Sequence, residues 1–161
     1  HRAGERAAEM AMQSVTAAFK REAKPGLPDP RAFLRQAITD AHLAIVEHAA
    51  QEKLADVPRT TCVAGVVQEG AACWAHAGDS RLYHIRYGTV LAQTKDHSLV
   101  QQLIDRGRIR EEAAAAHPDR NRTSNCLGSQ RPPRRNLTWR HPPAPRAPRL
   151  PVAARVARPP A

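Results

Sequence analysis

The chain is predicted to fold as an α+β domain of packed layers with antiparallel sheets, and three observations point there. Two amphipathic helical stretches come first, four short β-branched or aromatic segments then succeed one another across brief turn signals, and helical periodicity returns after residue 98. Strands that follow one another without helical crossovers pair antiparallel, which excludes a parallel α/β arrangement.

The first helix spans about residues 5–20, where Ala8, Met12, Val15 and Phe19 fall on one face at spacings of four, three and four. Lys24-Pro25-Gly26-Leu27-Pro28 breaks it. Asp29 is then a good N-cap with Pro30 at the first helical position, where a missing amide costs nothing. The second helix runs to about Lys53 on a stripe of Leu34, Ile38, Ala41, Ile45 and Ala49. Residues 60–68, 71–77, 81–86 and 89–94 read as strands of a meander, separated by Glu69-Gly70, Gly78-Asp79 and Tyr87-Gly88. The first two are apolar on both faces, which predicts strands covered on both sides in a central sheet position. A third helix follows Asp96-His97-Ser98 with Leu99, Leu103 and Ile104 on one face; Gly107 stops it, and residues 111–116 make a short further turn.

Composition limits what such a domain can be. The 161 residues carry 25 Lys+Arg against 15 Asp+Glu, a formal net charge of +10. Ala supplies 30 of the apolar residues, while Leu, Ile, Val and Phe together number only 28, so the core is small in volume. The longest apolar run, residues 62–67, falls far short of the roughly 18 to 20 needed to cross a bilayer. Neither a secretory signal nor a membrane span is expected from the residues read, and a cytoplasmic location is expected. Cys62, Cys73 and Cys126 lack the spacing of a zinc or redox site and read as reduced apolar residues. His1 in place of Met suggests a chain that begins inside a longer product or after processing.

The charge is concentrated at one end. Residues 131–161 hold 8 Arg, 9 Pro and no acid, hence +8 of the total, and lack either periodicity. This segment is expected to be a disordered basic tail, against a domain over residues 1–130. Its arginines could neutralise phosphates or contact acidic partners, although Trp139 alone offers a base-stacking surface.

The chemistry-bearing candidate is Ala77-Gly78-Asp79-Ser80-Arg81, between two apolar strands. A strand-end turn can hold a carboxylate at a sheet rim within reach of a hard cation, yet Gly-Asp-Ser is also simply a good turn sequence. No two of His42, His48, His76, His84, His97 and His117 form a metal pair at helical spacing, so they read as surface or rim residues. Ser80 lacks the G-x-S-x-G elbow of a serine hydrolase. Trp74 and Tyr83 read as core or sheet-face aromatics, and Glu111 and Glu112 as solubilising helix-start acids.

Several ordered segments then carry a resemblance. They are Arg59-Thr60-Thr61, Ala75-His76-Ala77-Gly78-Asp79-Ser80-Arg81-Leu82-Tyr83, Gly88-Thr89-Val90, Thr94-Lys95-Asp96-His97-Ser98-Leu99 and Asn125-Cys126-Leu127-Gly128. Together they resemble the PPM-type (type 2C) metal-dependent serine/threonine protein phosphatases in a bacterial version, over about residues 1–130. The opening His1-Arg2-Ala3-Gly4-Glu5-Arg6-Ala7-Ala8 is similar to the helix start after that family's D-G-x-G-G metal loop.

The resemblance implies a partial four-layer αββα sandwich. It also implies a site for Mn²⁺ or Mg²⁺ at one end of the sheets, where a metal-activated water attacks phosphoserine or phosphothreonine. Phosphoproteins would be the substrates, no membrane is involved, and nucleic acid would be met only through the basic tail. By position, Asp79 matches an aspartate that helps bind a third metal, while Gly78, Ser80, Arg81, Asp96 and His97 are near-site structural residues. The family's Asp-Gly ligand pair and phosphate-binding arginine would precede His1, and no Asp or Glu follows Asp119 where later ligand motifs belong. The chain is therefore expected to be incomplete and not competent alone, with a reading-frame change near Arg134 as the expected cause of the acid-free segment. The alternative is a non-catalytic binding module that uses its basic tail.

Overall fold

The computed structural model describes residues 2–133, 136–140 and 153–157. Helix α1 (Arg2–Glu22) and helix α2 (Pro30–Gln51) pack together. The Asp29 carboxylate caps α2, accepting from the amides of Arg31 at 2.9 Å and Ala32 at 3.0 Å, and so satisfies donors that the helix start leaves open. The α2 stripe is as expected: Leu34, Ile38, Ala41, Ile45 and Ala49 are all buried. The α1 stripe holds only at Val15, which packs against the core. Ala7, Ala11 and Ala18 face the core, while Met12 is 64% and Phe19 46% exposed. Small side chains let α1 approach α2 closely, with Met10 and Val15 packed against the edge of the core and Met12 turned out.

Strands β1 (Cys62–Gln68) and β2 (Ala71–Ala77) form one antiparallel hairpin, and β3 (Arg81–Arg86) and β4 (Thr89–Gln93) form another. Each turns through two residues with positive φ, Glu69-Gly70 and Tyr87-Gly88, the geometry that matches strand twist. The expected single meander is corrected here, because the hairpins lie in different sheets, ordered β1-β2-β5 and β4-β3-β6. The chain changes sheet between β2 and β3, because the second edge of β2 is taken by β5 (Asn136–Arg140). Strand β6 (Ala153–Ala157) pairs with β3.

Both added strands fall within the segment expected to be disordered; there the structure departs from that expectation, and the rest of 134–161 lies outside the described residues. Backbone pairing explains the departure, since the edges of β2 and β3 offer amides and carbonyls that any extended chain can satisfy.

Helix α2 lies across β2 and β1, and Leu34, Ile38, Ala41 and Ile45 of its stripe join Cys73, Ala75, Ala77 and Leu127 in one core. The second sheet covers the opposite face. Leu82 reaches the β1 backbone at Gly65, and the rings of Trp74 and His84 meet edge-on at 6.3 Å. Central β2 is accordingly buried along most of its length, whereas β1 is an edge strand with Val67 64% exposed, so only one of the two apolar strands is covered on both sides. At the far end Gln68 grips both backbone groups of Leu27 at 2.9 Å and fastens the α1–α2 loop to β1. Helix α3 (Leu99–Asp105) starts on the Ser98 cap and buries Val100 rather than its predicted face of Leu99, Leu103 and Ile104, which are half-buried.

Candidate functional site

Gly78, Asp79 and Ser80 are the crossing from one sheet to the other. Gly78 has φ +120, and a Cβ on it would lie 2.4 Å from the methyl carbon of Thr61, so only glycine passes here. The hydroxyls of Thr61 and Ser80 share a hydrogen bond of 2.7 Å, which anchors the other end of the crossing to the start of β1.

Arg81 grips Asp96 with both prongs of its guanidinium, Nε to Oδ1 at 2.8 Å and Nη2 to Oδ2 at 2.7 Å. The Asp96 bond raises the arginine's proton affinity, against the opposing effect of burial. The guanidinium stays charged, and the pair ties β3 to the 96–98 turn.

His97 follows. Its backbone amide donates to Gly78 O at 2.9 Å, while its Nδ1 accepts from the Gly78 amide at 3.2 Å and lies 2.8 Å from Asn125 Nδ2. Its ring stacks on His76 with centroids 4.3 Å apart and planes 15° apart. Burial pushes the His97 pKa down to about 4, neighbouring His76 adds to this, and Asp96 opposes it. The imidazole is thus neutral near pH 7.

Asp79 is half-buried and accepts a long hydrogen bond, 3.5 Å, from Thr123 Oγ1. Burial raises the pKa of the Cys126 thiol; Arg59 opposes this and Asp79 adds to it, which places both charges near the sulfur. Thr123, Asn125, Cys126, His97 and Arg59 share the wall of a cleft of about 870 Å³.

All six predicted site positions therefore share one neighbourhood, joined by the Gly78–His97 and Arg81–Asp96 bonds. Over 129 residues the chain is 35% identical to the serine/threonine phosphatase Stp of Listeria welshimeri, a match covering 80% of this chain and 51% of that protein. The serine/threonine phosphatase of S. agalactiae superposes with a TM-score of 0.76 at 29% identity, covering 88% of this chain and 58% of that one. The catalytic domain of the serine/threonine phosphatase PstP, solved in complex with 2 manganese ions, does so with a TM-score of 0.61 at 30% identity, covering 81% and 55%.

The chain belongs to the bacterial PPM-type serine/threonine phosphatases.

No protein-family model matches it. The chain spans about half the length of the curated relatives it matches. For a PPM-type centre the donor set is the decisive test, and the described residues do not meet it. No group of three or more His, Cys, Asp or Glu among them could hold a metal ion, and the crossing brings one carboxylate, Asp79, with a hydroxyl beside it. Cations close together need several anionic ligands to offset their repulsion.

Sequence reasoning missed part of this neighbourhood. His42 and His76, expected at the surface or rim, are 4% and 2% exposed. His42 Nδ1 accepts from the Gly128 amide and His76 Nε2 meets Lys95 O, so each buried ring is tied to backbone through one nitrogen. The contact of Thr61 with Ser80, that of Thr123 with Asp79 and the pairing of Asn125 with His97 were not foreseen either. Their partners lie 19, 44 and 28 residues away, beyond the reach of local spacing.

Proposed function

We propose that this chain is part of a divalent-metal-dependent phosphatase that hydrolyses phosphoserine and phosphothreonine in proteins. In this reading the complete fold is a four-layer αββα sandwich, and Asp79 contributes one carboxylate to its cation rim. The observation that carries it is the 35% identity to a serine/threonine phosphatase in a chain whose Gly78–Ser80 crossing is held by Thr61, His97 and the Arg81–Asp96 pair. The manganese ions of the PstP catalytic domain favour Mn²⁺ as the ion.

What these residues do is hold a carboxylate at the rim between two sheets. They do not assemble a metal pair, and the chain by itself is proposed to be without turnover. Among the described residues no helix is long and apolar enough to cross a membrane.

The test is release of inorganic phosphate from a phosphothreonine peptide with Mn²⁺ or Mg²⁺ present. No release above the peptide-only rate is expected. A metal-dependent rate that falls in Asp79→Asn would overturn the reading of incompetence.

A second reading rests on the 8 arginines and absent acids of residues 131–161, which favour a non-catalytic module that contacts acidic partners. Binding to a polyanion that collapses with salt, and is lost on deleting 131–161, would support it. Binding insensitive to salt would dispose of it.

A further inference from the structure

We propose that His97 is a positioning residue for the Asp79 turn: through its backbone amide and its Nδ1 it grips both peptide groups of Gly78 and ties them to residues 124 and 125. Its functional meaning rests on the reading of Asp79 as a cation ligand; its geometry does not.

Gly78 needs an external grip. It has no side chain, and at φ +120 its backbone lies where few residues rest unaided. His97 supplies the grip twice, donating N–H to Gly78 O at 2.9 Å and accepting the Gly78 amide at Nδ1 at 3.2 Å. The carbonyl of His97 accepts from the Ser124 amide at 2.7 Å, and Asn125 Nδ2 meets the same Nδ1 at 2.8 Å. One residue thus joins three segments.

Asp79 directly follows Gly78 and Thr123 directly precedes Ser124, so the two anchors on His97 set the separation between the carboxylate and the Thr123 hydroxyl, 3.5 Å. The same geometry fixes the tautomer. A backbone amide can only donate, so Nδ1 of His97 carries no proton, Asn125 donates to it, and the ring proton sits on Nε2. His76 donates Nε2–H to Lys95 O, because a carbonyl only accepts. His76 Nδ1 and His97 Nε2 have no hydrogen-bond partner among the described residues, so the bonding of the His97 ring is on its Nδ1 edge.

The competing explanation is that His97 merely fills space against the His76 ring, with which it stacks at 4.3 Å. Two substitutions separate the ideas. His97→Phe keeps a flat ring on His76 and removes the acceptor, whereas His97→Asn removes the ring and keeps an acceptor at the δ position. The readout is hydrogen exchange of the Gly78 amide, relative to amides in the middle of β2, in the whole chain. Positioning predicts acceleration of roughly tenfold in His97→Phe and within about twofold of wild type in His97→Asn. Equal acceleration in both, acceleration in His97→Asn alone, or none in either overturns the proposal.

Should the variants fail to fold, the ¹⁵N shifts of His97 in the wild-type chain decide. An unprotonated Nδ1 is expected, and a protonated one overturns the proposal. Mn²⁺ alone, added to the wild type, tests the cation reading separately through paramagnetic broadening at Asp79 and Thr123. Absent broadening with the Gly78 result intact removes the metal role of Asp79 and leaves His97 holding the turn; broadening with the Gly78 result lost does the reverse.

Discussion

At Gly78 the fold tolerates no side chain, and the reason can be split into two parts that different glycines isolate. Gly88 shares the positive φ, +75, but has nothing within 4 Å of a would-be Cβ, whereas Gly78 adds the Thr61 side chain at 2.4 Å. Gly88→Ala should therefore lose about 1 kcal/mol of stability for backbone strain alone. Gly78→Ala should lose about 3 kcal/mol or more, because strain and collision add. Urea unfolding of both variants checks this, and similar losses would mean that Thr61 yields easily. The Arg81–Asp96 pair is the second residue-scale test. With the aspartate 10% exposed but the arginine 34% exposed, solvent screens part of its strength, and Asp96→Asn should cost about 1–2 kcal/mol in the same assay.

Helix α2 shows what a sequence makes visible at the scale of an element. Its stripe places Leu34, Ile38 and Ile45 among the largest fully buried side chains, so period, face and cap were all legible, and Asp29 does cap it. Asp29→Ala should cost about 1 kcal/mol, seen as a fall in Tm of roughly 2–5 °C with the helix content of the folded state unchanged. Helix α1 shows the limit. Hydrophobicity ranks Met12 and Phe19 above Ala7, Ala11 and Ala18, but closeness of approach to α2 selects the alanines, and that preference is a property of the pair. Strand limits were legible within about two residues from turn residues and β-branched runs, and so was the pairing of β1 with β2 and of β3 with β4; that β2 and β3 do not pair was not. Alternation within a strand fixes its faces and says nothing of its neighbours, so the split of two hairpins between two sheets had to come from the structure.

For the whole molecule, the ordered segments around Asp79 and Asp96 were enough to point to the family, because their order survives even where the fold is only partly spanned. The contacts that hold those segments were not legible, because they join residues far apart in the chain, and some run through imidazoles. Two of these repeat one device. His97 Nδ1 accepts the Gly78 amide and His42 Nδ1 accepts the Gly128 amide, each at 3.2 Å, and so each glycine loop is fastened to the body by a neutral ring. Burial lowers the pKa of both from 6.5, for His97 to about 4 with His76 adding to the shift and Asp96 opposing it. The folded chain then binds fewer protons than the unfolded chain once the pH drops below the unfolded value. The contribution of each ring is complete above about pH 6.5 and is lost as pH falls towards the folded pKa, since a proton on Nδ1 removes the acceptor and charges a buried ring. Asp105, whose pKa is lowered by its hydrogen bonds to Lys95 and Gln101, adds loss in the same direction at still lower pH. Denaturant midpoints should accordingly be flat from about pH 8 to 7 and decline steadily from about pH 6.5 to 4. His42→Asn, which keeps a δ acceptor and cannot titrate, should make that decline shallower; a slope as steep as the wild type's would show that His42 takes no part in it.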